Sequence, residues 1–141
     1  MRALVLLIFL VASASATFFQ DCGSVGSNVE VNVEGCDVPP CILERGQTID
    51  VNIKFTASRS SQTLTVDAGA NIGGIQVPWP GVDTNGCLYT ACPFAAGSRV
   101  DWTMPVDILR EYPAISTIVT FRLVDGNGDF QACAVLPATI V

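Results

Sequence analysis

Histidine is absent from all 141 residues. That removes Ser-His-Asp and Cys-His nucleophilic chemistry and every His-ligated metal site at once. Basic residues are scarce as well: seven Lys and Arg stand against thirteen Asp and Glu, a net charge of −6. Beyond Arg2 they are scattered singly, as Arg45, Lys54, Arg59, Arg99, Arg110 and Arg122. Nucleic acid and anionic membrane surfaces both draw on clustered Lys and Arg, so neither is an expected partner. No two of the carboxylates stand out as the converging pair a hydrolase would need. The chain therefore reads as a non-enzyme without a cofactor. The six cysteines lack the paired C-x-x-C knuckles of a zinc site, so no metal is expected.

What is present begins with a leader. Arg2 precedes an apolar run from Ala3 to Ala12, and Ala14-Ser15-Ala16 makes an A-x-A cleavage site. This predicts a secretory signal peptide over residues 1–16, too short to cross a bilayer as a helix. Cleavage would leave 125 residues, 17–141, with six basic and thirteen acidic side chains, a charge of −7. That is one soluble domain with a real core. In a secreted domain of this size six cysteines predict three disulfides, with fifteen pairings possible in principle. Cys36 and Cys41 bracket four residues, as do Cys87 and Cys92, and both pairs read as local loop staples. Cys22 and Cys133 remain and would tie the start of the domain to its last strand.

Alternation supplies the fold class. Val29, Val31 and Val33 share one face of residues 28–33, and Ile49, Val51, Ile53 and Phe55 share one face of residues 48–57. Leu64, Val66 and Ala68 continue the pattern into a Gly-rich bend at Gly69 and Gly73-Gly74. Val100, Trp102, Met104 and Val106 alternate up to an edge marked by Pro105. Residues 115–124 are apolar on nearly both faces, which predicts a central strand. Residues 130–136 and 138–141 complete seven or eight strands, with turn signals about every ten residues and no convincing amphipathic helix. The pattern predicts an all-β, immunoglobulin-like antiparallel β-sandwich of two sheets.

Two stretches invite a functional reading. Val77-Pro78-Trp79-Pro80 is held extended and lacks two amide donors, so it belongs at an edge or rim and presents a rigid indole there. An aromatic at a rim, followed by a stapled loop, suits the mouth of an apolar cavity. Asp125-x-Asn127-x-Asp129 mimics the opening of a calcium loop, but the twelfth position, where a bidentate Glu is needed, is Leu136. A Gly/Asn hairpin turn is the expectation. Trp102 fits a core position as well as a cavity wall.

Taken together, Asp21-Cys22-Gly23-Ser24, Pro40-Cys41, Val77-Pro78-Trp79-Pro80, Asn85-Gly86-Cys87, Cys92-Pro93, Pro105-Val106, Glu111-Tyr112-Pro113 and Pro137 to Val141 resemble the ML-domain (lipid-recognition) family. The likeness covers residues 21–141. It points to the Niemann-Pick type C-two proteins and, around Pro80-Gly81-Val82-Asp83, to their insect and mite branch with the group-two mite allergens. The resemblance implies a sandwich that is not fully collapsed, with an internal apolar cavity holding a sterol or other lipid. It implies the pairing Cys22–Cys133, Cys36–Cys41 and Cys87–Cys92, in agreement with the spacing. It places Trp79, Val106 and Tyr112 around the ligand, with Val77, Pro113, Val33, Val51, Ile53, Val119 and Phe121 lining the rest. Trp79 replaces the Phe of vertebrate sterol carriers and Ala134 a large aromatic, implying a bulkier door and a wider base.

The expected function is a secreted, extracellular, monomeric carrier of a hydrophobic small molecule, a sterol or fatty acid, with a membrane lipid-transfer receptor as a further partner. The alternative location is the lysosome or endosome lumen. The alternative function is an innate-immune accessory module that presents bacterial lipid to a receptor; a plain adhesion sandwich with a filled core is a third reading. Without histidine, ligand release should respond weakly to pH between 7 and 5.5. Val106→Trp should block the cavity and spare the fold.

Overall fold

Two sheets of unequal size face each other in the computed structural model, which describes residues 16–141. All but the last residue of the expected leader lies outside the described residues. The chain forms β1 (Gln20–Asp21), β2 (Ser27–Val33), β3 (Cys41–Leu43), β4 (Thr48–Thr56), β5 (Leu64–Ile72), β6 (Ile75–Pro78), β7 (Arg99–Asp107), β8 (Ser116–Asp125) and β9 (Phe130–Ile140). One sheet runs β1-β9-β8-β5-β6, with β3 also paired to β9; the other runs β2-β4-β7. The sandwich is as expected, with nine strands among the described residues where the alternation predicts seven or eight. The two short additions, β1 and β3, both attach to β9, and β3 does so in parallel. Among the described residues the one helical element is a 3₁₀ turn at Gly86–Leu88, where the Cys87 amide donates to the Asn85 side chain.

The proline and alternation signals translate directly. β6 carries Pro78 and is the edge of its sheet; β7 carries Pro105 and is the edge of the other; β8, apolar on both faces, lies between β9 and β5. Two breaks expected from sequence do not occur. β5 runs on through Gly69 to Ile72, because at Gly69 the glycine serves a close approach rather than a bend. A Cβ there would lie 2.7 Å from the Val77 carbonyl oxygen and 2.6 Å from Gln76 Nε2. β9 likewise passes through Pro137 without interruption. Pro137 falls in the gap between residues 134–135, which pair with β1, and residues 138–140, which pair with β3.

The inward rows are unevenly filled along the sandwich, and this positions the site. At one end Phe55, Trp102, Leu123 and Phe94 pack as large buried side chains, Phe55 and Phe94 edge to face at 6.1 Å. Trp102 is fully buried there and is a core residue. At the other end β2, β4, β7, β5 and β9 contribute Val33, Val51, Val106, Ala70 and Ala138, beside the larger Phe121 and Leu136. Smaller side chains at that end leave the two sheets less to fill the space between them.

All three expected disulfides form: Cys22–Cys133, Cys36–Cys41 and Cys87–Cys92. The Asp125 to Asp129 segment is a hairpin turn. The Asp125 side chain accepts from the Asn127 and Asp129 amides at 2.9 and 3.1 Å and from Gln131 Nε2 at 2.8 Å. Burial alone would raise the Asp125 pKa; those donors and the Arg59 guanidinium outweigh it and hold the carboxyl below its ordinary value. Asp21 is lowered in the same way: the opposing burial is outweighed by donors from Ser24 and Gly23. A carboxyl with a depressed folded pKa contributes stability that is present above the unfolded value and lost as pH falls through the folded one. The melting temperature should therefore stay level from pH 7 to pH 5 and drop below about pH 4. A fall in calorimetric melting temperature already evident between pH 7 and 5.5 would contradict this.

Candidate functional site

The sandwich opens where the segments that follow the two edge strands meet. β6 ends at Pro78, and the Trp79 amide still donates to the Ala68 carbonyl at 2.9 Å, so the indole is carried in register with β5. The Val82 amide then donates to the Trp79 carbonyl at 3.2 Å, closing a turn around Pro80-Gly81. On the facing sheet, the chain leaving β7 at Asp107 arrives at Tyr112. The Tyr112 hydroxyl accepts from the Gly81 amide at 2.9 Å and clasps the two segments together. Gly81 allows that approach: a Cβ would sit 2.6 Å from the Asp107 carbonyl oxygen and 3.0 Å from the Tyr112 hydroxyl.

Trp79 turns inward rather than standing at the surface, with 8% of it exposed. Its ring meets Tyr112 edge to face at 5.9 Å and Phe121 at 6.1 Å. It divides the open space in two. Outside it lies an apolar pocket of about 180 Å³ formed by Ala70, Ile72, Val77, Pro78, Pro80, Tyr112, Pro113, Val119 and Ile140. Inside it lies a crevice of about 10 Å³, between Val33, Val51 and Val106 on one sheet and Phe121, Leu136 and Ala138 on the other. Trp79 and Val119 belong to both walls. The crevice is about the size of one water and has no polar group to hold it.

Nine of the ten residues expected around the ligand fall on these walls: Trp79, Val77, Tyr112, Pro113 and Val119 outside, and Val33, Val51, Val106 and Phe121 with them inside. Ile53 does not. It is fully buried one inward step further along β4, between Val31 and Trp102, in the filled end of the core. Ala134 is also buried outside both walls, so its small side chain does not widen this space. Ala70, Ile72 and Ile140 were missed from the sequence. The parity of β5 beyond Gly69 and of β9 beyond Pro137 points to them, since neither residue interrupts its strand. Val106 is fully buried against the crevice, so Val106→Trp would overpack the core and lower stability rather than spare the fold.

No ionisable carboxylate or amine lines either space. Tyr112 is the one titratable group there, and burial pushes its phenol above the ordinary value, so it stays neutral across physiological pH. The arrangement can hold an apolar molecule.

The ML-domain family model matches residues 16–140. The chain is 35% identical over 144 residues to the mouse (Mus musculus) NPC intracellular cholesterol transporter 2, covering 99% of this chain and 97% of that protein. It is 32% identical over 142 residues to mite group 2 allergen Pso o 2 of Psoroptes ovis, covering 99% and 98%. The fold matches the crystal structure of a Niemann-Pick type C2 protein from Japanese carpenter ant with a TM-score of 0.78, over 88% of this chain and 99% of that one, at 22% identity. With its family model matched from end to end of the sandwich, the chain belongs to the ML-domain family.

Proposed function

We propose that this protein is a secreted carrier that takes a sterol or fatty acid between its two sheets and passes it on. Membership of the ML-domain family makes it a non-enzymatic lipid-binding protein. The observation that carries the finer reading is the apolar pocket of about 180 Å³ that Trp79 separates from the small crevice between the sheets. Small-molecule sites commonly measure roughly 300–1,000 Å³. The present pocket, about 180 Å³, is the closed form of such a site. Entry of a lipid requires the indole to move aside and the small-residue end of the sandwich to part. The clasp between Tyr112 and Gly81 is the contact that releases or re-forms as it does so. Burying some 300 Å² of ligand at about 25 cal/mol per Å² contributes roughly 7 kcal/mol gross, part of which is spent ordering ligand and loops. The mouse relative, named as a cholesterol transporter, supports a ligand of that size class.

Extraction of the secreted protein into organic solvent, followed by mass spectrometry, tests the reading. About one sterol or fatty acid per protein is the expected result. Absence of lipid would refute the carrier, and a lipid A-like molecule would replace it with the immune-recognition reading.

A further inference from the structure

Tyr112 is held at both ends. Its hydroxyl accepts from the Gly81 amide at 2.9 Å, and its main-chain oxygen accepts from Arg45 Nη1 at 3.4 Å. The Nε of the same guanidinium donates to the main-chain oxygen of Val141 at 3.3 Å. Val141 follows Ile140, the residue that β9 contributes to the pocket wall, and Tyr112 is carried by the segment that leaves β7. One planar, forked side chain thus spans the two sheets beside the mouth. It stands on a fixed base. Residues 44–47 carry the chain from β3 in the larger sheet to β4 in the smaller. There the Arg45 amide donates to the Val141 oxygen at 3.0 Å and the Gly46 amide to the Ile108 oxygen at 2.6 Å. Arg59, Arg99 and Arg122 each pair with a carboxylate. Arg45 pairs with none among the described residues and directs its donors to these two segments instead. Arg110 borders the same cleft with its guanidinium against Gly46, and among the described residues it makes no hydrogen bond to Tyr112 or Val141.

We propose that Arg45 is the positioning residue of the mouth: by straddling Tyr112 and Val141 it latches the Tyr112-Pro113 strap and sets how fast a ligand enters and leaves, without touching the ligand. Its acceptors are main-chain oxygens on the rim, and they are engaged in the shut mouth whether or not a guest lies behind it. Parting the two sheets breaks these bonds, and closing re-forms them. Their removal therefore speeds entry and exit alike and leaves the balance between free and bound protein in place. This rests on the carrier reading and names the group that paces exchange at the same site.

The experiment measures two things in wild-type protein and in Arg45→Met, Arg45→Lys and Arg110→Met. The first is the stopped-flow uptake and release of cis-parinaric acid, a fluorescent fatty acid, and of dehydroergosterol, a fluorescent sterol. The second is hydrogen exchange of the Gly81 amide in ligand-free protein. Arg45 is exposed, so its variants keep the core intact. Arg45→Met keeps the stem and removes the donors. It should raise both association and dissociation rates about three- to tenfold, the worth of an exposed hydrogen bond or two, and hold Kd within about twofold. Gly81 exchange should quicken by about the same factor, because Tyr112 is then held from one side only. Arg45→Lys, a single point donor that reaches one acceptor and not both, should fall between. Arg110→Met removes a neighbouring charge and no contact with the strap, and should leave rates and exchange within about twofold of wild type. Unchanged Gly81 exchange or unchanged ligand rates in Arg45→Met would overturn the latch alone, as would an equal acceleration by Arg110→Met. Failure of wild-type protein to take up either probe would overturn the carrier reading and the latch with it.

Discussion

Ala70→Trp is expected to reduce lipid uptake about tenfold or more while moving the melting temperature by no more than about 3 °C. Ala70 sits on the inward face of β5, paired with Val119 on one side and Val77 on the other, and is only partly buried. Its methyl group faces the pocket of about 180 Å³, so an indole in its place occupies space the ligand must cross. Displacing about 60 Å² of ligand contact at roughly 25 cal/mol per Å² costs about 1.5 kcal/mol, which is the tenfold. The fold is spared because the new side chain enters existing space instead of forcing close-packed neighbours apart, the opposite of Val106→Trp. Fluorescent-lipid titration alongside calorimetry separates the outcomes. Full uptake by a folded Ala70→Trp variant would place the entry route elsewhere.

Replacing Cys22 and Cys133 together by Ala should cost about 4 to 5 kcal/mol in the chain-entropy model, because the bond closes a loop of sequence separation 111. The corresponding change at Cys36 and Cys41, sequence separation 5, should cost roughly 2 kcal/mol. At roughly 3–5 °C per kcal/mol for a domain of this length, the first change lowers the melting temperature by about 12–25 °C and the second by about 6–10 °C. Cys133 is fully buried on β9, and the chain around Cys22 is tied to it twice more. The Cys22 amide donates to the Cys133 carbonyl at 3.1 Å, and the Cys133 amide donates to Ser24 Oγ at 2.8 Å. Those bonds keep the local geometry available, so the loss falls on the unfolded ensemble. A melting shift no larger for the long bridge than for the short one would reject loop-closure entropy as its source.

The parts of this structure that could be read from sequence are those set by local chemistry. Proline removes an amide donor whatever surrounds it, so Pro78 and Pro105 identified the two sheet edges and led to the mouth. Period-two alternation fixes which side chains of β4 and β7 face inward. It carries no information about depth along the strand, and that is why Ile53 was assigned to the cavity with Val51. One inward step along β4 exchanges the small-residue end for the end filled by Trp102 and Phe55. Gly69 and Pro137 were misread for a related reason. Whether glycine bends a strand or admits a neighbour, and whether proline breaks a ladder or sits in a gap between two partners, depends on strands distant in sequence. The inward turn of Trp79 was equally out of reach, because it depends on Tyr112 and Phe121 closing around the ring.

A crystal structure of the protein grown with a stoichiometric fatty acid tests the central claim most directly. The acyl chain should pass the displaced Trp79 ring and lie between Val51 and Val106 on one sheet and Phe121 and Leu136 on the other, with those walls farther apart than here. A fatty acid confined to the outer surface, with the indole in its present place and the crevice still about 10 Å³, would contradict it.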